Sequence, residues 1–329
     1  ARSTKKGDLV IIESSVPPGT TKNIIKLILE KTSGLKAEKD FYLAYVPERI
    51  SPGNAIRELF TVPRIIGGIE PKSTEKVFEL YSAVNRNLIK TDATTAEFVK
   101  LIENSFRDLN IAFANLLALI AEKLQIDVSE AIEIANTHPR VNIHKPGIGV
   151  GGPCLTKDPY MLLSIAKEVS GINLIKIARE INNYMPLHTM ELIKEILREN
   201  KIDNPKITVL GLAYKGGVND PRESPALKLI HKLMHEGYHV ISYDPYIKNL
   251  SDVPTASSLE NALRESDLLI IATDHPEFYE IELPKIRRLM RTPIILDGRR
   301  IIKPDIAVKS GFKYYAIGFG RRINNVSSN

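Results

Sequence analysis

Short apolar runs alternate with helix-period segments over the first ninety or so residues of the chain. Residues 8–13, 42–46, 64–67 and 87–90 are short, largely apolar runs too brief for helices, and each reads as a strand. Residues 18–31 and 71–83 space their apolar positions at helical intervals. This βα rhythm predicts an open α/β sheet. At residue 93 the pattern changes. Residues 93–124 contain neither Pro nor Gly, and as one helix they would span roughly 45–50 Å. Within it, residues 111–121 are apolar nearly all round. That predicts burial on every side and, since one domain seldom buries so long an element, a subunit interface. Helices are also predicted at 128–136, 159–170 and 172–200. Asn204-Pro205 marks a boundary, after which strands at 207–211, 239–243, 268–272, 293–296 and 314–317 alternate with helices at 223–235, 258–264 and 283–290. The polar stretch 324–329 is expected to fray. The predicted fold is α/β: two Rossmann-like parallel-sheet domains, 1–92 and 204–329, joined by a long central helix and a helical dimerisation domain, 93–203.

Composition narrows the function classes. A hydrophobic content of 43% with 26% charged residues is that of an ordinary globular chain. The net charge of +6 is mild and suits a phosphorylated small molecule. No zinc-finger spacing, RNA-binding signature or basic block is present, which argues against nucleic acid. The longest apolar run, 109–121, falls short of the roughly 20 residues of a membrane span, and no signal-peptide pattern is seen. A single cysteine forbids an internal disulfide, and a reducing, cytoplasmic setting is expected.

That cysteine lies in Gly147-Ile148-Gly149-Val150-Gly151-Gly152-Pro153-Cys154-Leu155-Thr156-Lys157-Asp158. Glycines let a backbone wrap closely around a ligand, and a thiolate is a strong nucleophile. A lone Cys is more often a small buried hydrophobe, but this one follows a glycine-rich loop. A helix beginning near Pro153 would place Cys154 in its first turn, where the helix dipole and Lys157 lower a thiol pKa. Gly147, Gly149 and Gly152 satisfy G-x-G-x-x-G, yet residues 137–146 before them read as loop, so the dinucleotide interpretation is rejected. Lys100, Asn104 and Arg107 share one face of the long helix, either as a solvated stripe or as a group able to stabilise an oxyanion. Glu48 and Arg49 follow a strand, where open α/β sheets bind ligands. Ser14-Ser15-Val16-Pro17-Pro18-Gly19-Thr20-Thr21 also follows a strand and is otherwise a plain helix-entry turn. Gly211-Leu212-Ala213-Tyr214-Lys215-Gly216-Gly217, with Asp220-Pro221-Arg222-Glu223-Ser224-Pro225, offers a helix N-terminus and cations to a phosphate but contains no P-loop.

Taken in order, these motifs closely resemble the UDP-glucose/GDP-mannose dehydrogenase family. The resemblance covers nearly the whole chain: Ser14-Ser15-Val16-Pro17-Pro18-Gly19-Thr20, Pro47-Glu48-Arg49, Lys100 with Asn104, Gly151-Gly152-Pro153-Cys154 with Lys157-Asp158, Gly211-Leu212-Ala213-Tyr214-Lys215 and Asp297-Gly298-Arg299. It implies an NAD-dependent, four-electron oxidation of a sugar-nucleotide C6 alcohol to a carboxylate, with no metal. Cys154 would attack the aldehyde and carry a thiohemiacetal and then a thioester. Lys100 and Asn104 would hold the oxyanion and touch substrate. Asp158 would activate or place water. Ser15 would lie near the reacting centre and the cofactor, with Glu48 nearby. Arg49, Ile50, Gly151, Tyr214, Lys215 and Arg299 would bind substrate, as would Arg107, His138 and Arg140, some of these three across a homodimer, and Arg222 would reach NAD. Pro52 stands where glucose-oxidising members carry a second glutamate. With His138-Pro139-Arg140, this resembles the 2-acetamido-sugar branch, and UDP-N-acetyl-D-mannosamine is the expected substrate. UDP-glucose, UDP-N-acetylglucosamine and a non-catalytic sugar-nucleotide-binding role remain as alternatives. An unrelated hydroxyacid dehydrogenase would leave Cys154 and Lys157-Asp158 unexplained. The first region resembles only the later strands of the family's NAD domain. At about 30 residues per βαβ unit, roughly a hundred residues are expected to be absent, with weakened NAD binding as the consequence.

Overall fold

The computed structural model describes residues 1–50, 53–166 and 168–320. Ser51, Pro52 and the tail 324–329 lie outside them. The chain forms two compact units, Ala1–Phe106 with Lys157–Ile172, and Arg107–Thr156 with the described residues from Asn173 onward.

The first unit contains β1 (Leu9–Ile12), a π-helical turn (Thr21–Ile25) running into α1 (Lys26–Ser33), β2 (Tyr42–Tyr45), α2 (Ala55–Thr61), β3 (Arg64–Gly68), α3 (Pro71–Ser82) and β4 (Leu88–Asp92). The strands form one sheet in the order β1-β2-β3-β4. Alternate residues of β2 enter opposite cores. Leu43 and Tyr45 pack with Phe41, Ile65 and Ala96, whereas Ala44 packs with Val46, Ile66 and Val77. Both faces are therefore covered, which is why the strands read as continuous apolar runs.

β1/β2 and β3/β4 are parallel, but β2/β3 is antiparallel, with Ala44 opposite Gly68. The connection explains this local departure from a parallel pattern. A parallel neighbour needs a crossover helix packed on the sheet, and α2 buries none of its residues.

α4 (Ala93–Leu124) is one unbroken helix with the bounds predicted from the sequence. Its N-terminus is fixed by Asp92, which accepts hydrogen bonds from Thr95 N and Thr95 Oγ1. Burial is one-sided in this chain, contrary to the expectation for residues 111–121. Ala112, Ala114, Ala118 and Ala121 are buried, while Phe113, Leu116, Ile120 and Leu124 are 48%, 38%, 44% and 62% exposed. Small side chains allow close packing on one face, and the large ones point away from it.

In the second unit α5 (Val128–Ala135) follows α4. The chain then passes through α6 (Asp158–Ile165) of the first unit and continues as α7 (Asn173–Glu199). The predicted helix at 159–170 thus stops at Ile165. The strands β5 (Lys206–Leu210), β6 (His239–Tyr243), β7 (Leu268–Ile271), β8 (Ile294–Asp297) and β9 (Lys313–Ala316) are interleaved with α8 (Pro225–His235), α9 (Leu259–Leu263), a 3₁₀ turn (Pro276–Glu280), α10 (Leu283–Arg287) and α11 (Pro304–Lys309). All five strands are parallel, in the order β6-β5-β7-β8-β9. The strand order reverses between β5 and β7, so a ligand crevice is expected beyond their carboxyl ends.

Candidate active site

In the first unit the predicted residues converge on the buried carboxylate of Asp158. Pro159 lacks an N–H and suits the first turn of a helix, so α6 begins at Asp158. Oδ2 of Asp158 accepts hydrogen bonds from Asn104 Nδ2 at 2.6 Å and from Ser15 Oγ at 3.0 Å. Oδ1 is buried without a protein partner. The hydroxyl of fully buried Tyr45 is likewise unpartnered. Its pKa is pushed well above the usual phenol range by burial and by the charges of Glu97, Asp158 and Glu103. One serine hydroxyl, one amide and one carboxylate with a spare oxygen form a group suited to holding water.

The neighbouring residues are scaffolded by α4. Lys100 Nζ donates to the backbone carbonyl of Glu48 at 2.5 Å. Glu48 Oε1 accepts from the amides of Arg49 and Ile50 at 2.8 and 2.9 Å. Arg49 is paired with Glu103 at 2.6 Å. Glu97, which the sequence reading passed over, is fully buried and accepts from Gly19 N, Thr21 N and Thr21 Oγ1 at 2.5, 2.7 and 2.6 Å. It fixes the loop that carries Ser15. The available signal was a carboxylate one turn before Lys100 on the same face.

In the second unit the glycine segment lies against the loops beyond β5 and β8. A Cβ on Gly151 would come within 2.5 Å of Glu223 O and 3.0 Å of Tyr214 Cβ. One on Gly152, whose φ is +87°, would come within 2.8 Å of the Tyr214 ring. Gly152 N donates to Arg222 O at 3.1 Å. At the other end, a Cβ on Gly147 would meet Arg299 Nη1 at 2.9 Å. The chain therefore needs glycine here for close approach of backbone to side chain.

Cys154 is exposed. It lies in a turn before α6 rather than in the helix's first turn, because Pro159 sets the start of the helix at Asp158. Tyr214 is its electrostatic neighbour. Burial, Asp220 and Cys154 together raise the phenol pKa, while Arg222 and Arg107 oppose the shift. Arg222 is held in a fork by Asp220, with Nη2–Oδ2 at 2.7 Å. Arg299 pairs with Asp274 at 3.1 Å across the loops after β8 and β7. Burial raises the Asp274 pKa, but the Arg299 charge prevails and holds it below the usual carboxylate range. Asp297 is buried and holds its own turn, accepting from Arg299 N and Ile302 N at 3.0 and 2.8 Å.

The loop carrying Tyr214 and Lys215 has a support the sequence reading missed. His275 Nε2 lies 3.0 Å from Asp244 Oδ2, and His275 Nδ1 accepts from Gly217 N at 3.1 Å. The latter bond fixes the neutral tautomer with the proton on Nε2. Asp244 Oδ2 also accepts from Leu212 N at 2.6 Å. His138 and Arg140 stand apart. Both are exposed after α5, and Arg140 N lies 3.4 Å from His138 Nδ1. A cavity of about 720 Å³ nearby is lined by Lys145, Tyr279, Arg300 and Lys303 among others, and it includes none of the predicted substrate residues.

The exposed thiol of Cys154 lies beside Tyr214, in the loop beyond β5, in a chain with two α/β units. Comparison with known proteins gives the family. Residues 1–85, 94–184 and 208–304 match the NAD binding, central and UDP binding domains of the UDP-glucose/GDP-mannose dehydrogenase family. The chain belongs to that family and is an NAD-dependent UDP-sugar dehydrogenase. It is 50% identical over 319 residues to the UDP-N-acetyl-D-mannosamine dehydrogenase of Pyrococcus horikoshii, covering 96% of this chain and 73% of that protein. It is 42% identical over 321 residues to the enzyme of the same name from Methanocaldococcus jannaschii, covering 96% and 72%. The solved Pyrococcus horikoshii structure superposes with a TM-score of 0.88 at 47% identity, covering 97% of this chain and 74% of that one.

Proposed function

We propose that the intact protein of which this chain carries the Cys154 site oxidises the C6 alcohol of UDP-N-acetyl-D-mannosamine to the carboxylate, using Cys154 as a covalent nucleophile. The substrate assignment rests on similarity to the archaeal enzymes of that name. The observation that carries the mechanism is the exposed Cys154 at the end of a glycine segment seated on Tyr214, Arg222 and Arg299. Tyr214, Lys215 and Arg299 hold the nucleotide end beyond β5 and β8. Arg107, Arg49 and Ile50 contribute to substrate binding, and the exposed His138 and Arg140 would do so from a partner subunit.

Of the groups NAD would meet, the chain offers the Ser15 hydroxyl beyond the carboxyl end of β1, which would lie near the nicotinamide. The exposed, forked Arg222 suits a phosphate. When bound, NAD accepts a hydride in each of the two oxidations. The chain's own residues do the rest. Removal of hydride and a proton from the alcohol leaves the aldehyde. The Cys154 sulfur adds to its carbon, giving a thiohemiacetal whose oxygen is held by Lys100 and Asn104. Loss of the second hydride, together with the hydroxyl proton, leaves a thioester. Water held by Asp158 attacks it, breaking the C–S bond to release the carboxylate and return the thiol. A reaction that depends on a free thiol favours a reducing, cytoplasmic setting.

The exposed apolar side chains of α4 supply the subunit contact. Phe98, Ile102, Phe106, Phe113, Leu116, Ile120 and Leu124 recur at three-, four- and seven-residue steps, the spacing of a helix–helix seam. No helix among the described residues is long and apolar enough to cross a membrane.

The test is Cys154→Ser, assayed by NADH release and by uronate formation with UDP-N-acetyl-D-mannosamine, UDP-N-acetylglucosamine and UDP-glucose. Loss of uronate with the mannosamine substrate preferred in wild type is the expected result. Undiminished uronate formation by the variant would remove the thioester mechanism.

A further inference from the structure

A buried polar chain joins α4 and α7 and ends on the glycine segment. Asp108, Asn115, Arg179 and Asn182 are each at most 2% exposed. Arg179 Nη1 pairs with Asp108 Oδ1 at 2.5 Å. Asn182 Nδ2 donates to the backbone carbonyl of Asp108 at 2.9 Å and to its Oδ1 at 2.8 Å. With both N–H groups occupied, Asn182 turns its Oδ1 to Asn115 Nδ2 at 2.9 Å. Asn115 is thereby left to present its own Oδ1 to Gly147 N, again at 2.9 Å. The polarity is set at both ends. A backbone carbonyl can only accept, a backbone N–H can only donate, and the two amides fit between them in one orientation.

The same helix also meets the segment directly. Pro186 interrupts α7 and removes the N–H that would bond the Asn182 carbonyl. Gly149, at φ +132°, lies against that carbonyl, where a Cβ would sit 3.2 Å away. Arg179 Nη1 also reaches Leu155 O, the residue after Cys154, at 3.5 Å.

We propose that the Asp108–Arg179–Asn182–Asn115 network is the positioning device of the Cys154 loop, acting through the fixed orientation of its two amides. None of these four residues touches substrate in this scheme; they are positioning residues. Their catalytic consequence rests on the function proposed above, but the placement of the loop does not.

The distinguishing feature is action at one remove. Asn182's side chain acts on Gly147 only through Asn115. In Asn182→Leu, Asn115 loses the partner that orients it. In Asn115→Ala, the acceptor itself is gone. Hydrogen exchange of the peptide spanning Gly147 to Leu155 is measured in the full chain, with peptides from β5 to β9 as internal reference. Both variants are expected to lose about fivefold to tenfold of protection in that peptide with the sheet unchanged. Alkylation of Cys154, the only thiol, by iodoacetamide should change in parallel. If Asn182→Leu does not fold, Asn182→Gln keeps an amide but displaces it by one methylene and replaces it in the test. In active enzyme, kcat should fall while KM for the UDP-sugar stays within about twofold. Wild-type protection of the loop, or equal loss in loop and sheet, would overturn the proposal. Full activity of Cys154→Ser would instead overturn the chemistry, and the exchange result would still decide whether the network seats the loop.

Discussion

Replacing Asp158 separates structural support from chemistry. Its Oδ2 receives Asn104 and Ser15 at 2.6 and 3.0 Å, and its Oδ1 has no protein partner. Asp158→Ala strands both donors. A buried donor without a partner costs about 1–3 kcal/mol, and the half-buried Ser15 can recover part of its loss from water, so the variant should lose about 2–4 kcal/mol. At about 2–4 °C per kcal/mol, that lowers Tm by roughly 4–16 °C. Asp158→Asn keeps an oxygen for both donors and should stay within about 1 kcal/mol of wild type. Its chemistry should nevertheless fail, because an amide cannot accept a proton from water. Loss of a general base costs about 10²–10⁴ in rate. The thioester should therefore outlive turnover, giving an NADH burst that stalls and a Cys154 adduct visible by intact mass. If Asp158→Asn forms uronate at near wild-type rate with no adduct, Asp158 is a scaffold and water is activated elsewhere.

Three further outcomes follow from the geometry. Gly152→Ala places a Cβ 2.8 Å from two Tyr214 ring carbons at φ +87°; about 1–2 kcal/mol of backbone strain plus displacement of the ring should raise KM for the UDP-sugar about tenfold. The Asp244 carboxyl is pushed up by burial, but the hydrogen bonds from His275 and Leu212 prevail and hold it below the usual range. Because its folded value is the lower one, its stabilisation is present above about pH 3.9 and is lost as pH falls through the depressed value. Thermal melts from pH 2 to 7 should show a shallower acid limb in Asp244→Asn, and an unchanged limb would count against the assignment. Ile120→Glu places a charge in the apolar face of α4, where Ile120 is 44% exposed, and should convert a dimer to a monomer by light scattering; an unchanged mass would move the subunit contact elsewhere.

Much of the fold was legible because burial leaves a mark on composition. The strands of the second sheet are short apolar runs closed on both faces, and α4 is a long stretch without a helix breaker. What escaped notice had no such mark. α2 buries nothing and so shows no amphipathic signal, and with it went the antiparallel β2/β3 pair. α11 spans only Pro304–Lys309, too short for periodicity to register. Cys154 was displaced from the helix because Pro159, not Pro153, sets where the helix begins. In the site, the motif-bearing residues were visible and their supports were not. Asn115 stood in plain view inside an apolar run and was averaged away, although a lone amide at such a position must find partners.

That averaged signal is the most instructive one in the chain. Glu97, Lys100, Asn104, Asp108 and Asn115 follow one another at three-, four- and seven-residue steps, forming one polar stripe along α4. Each member grips a different segment within its own unit. Glu97 takes the loop of Ser15, Lys100 the Glu48 carbonyl, Asn104 the Asp158 carboxylate, Asp108 the Arg179 guanidinium, and Asn115 the Gly147 amide. A solvated stripe would leave these groups to water. Here Glu97, Asn104, Asp108 and Asn115 are all buried, burying four polar side chains on one helix is costly unless they find partners, and each makes at least one hydrogen bond or ion pair, with Asp108 Oδ2 left unpartnered. Their partners are the loops that carry the proposed chemistry, so a stripe that looks like surface in the sequence is better understood, within each unit, as the set of contacts that holds that unit's loops.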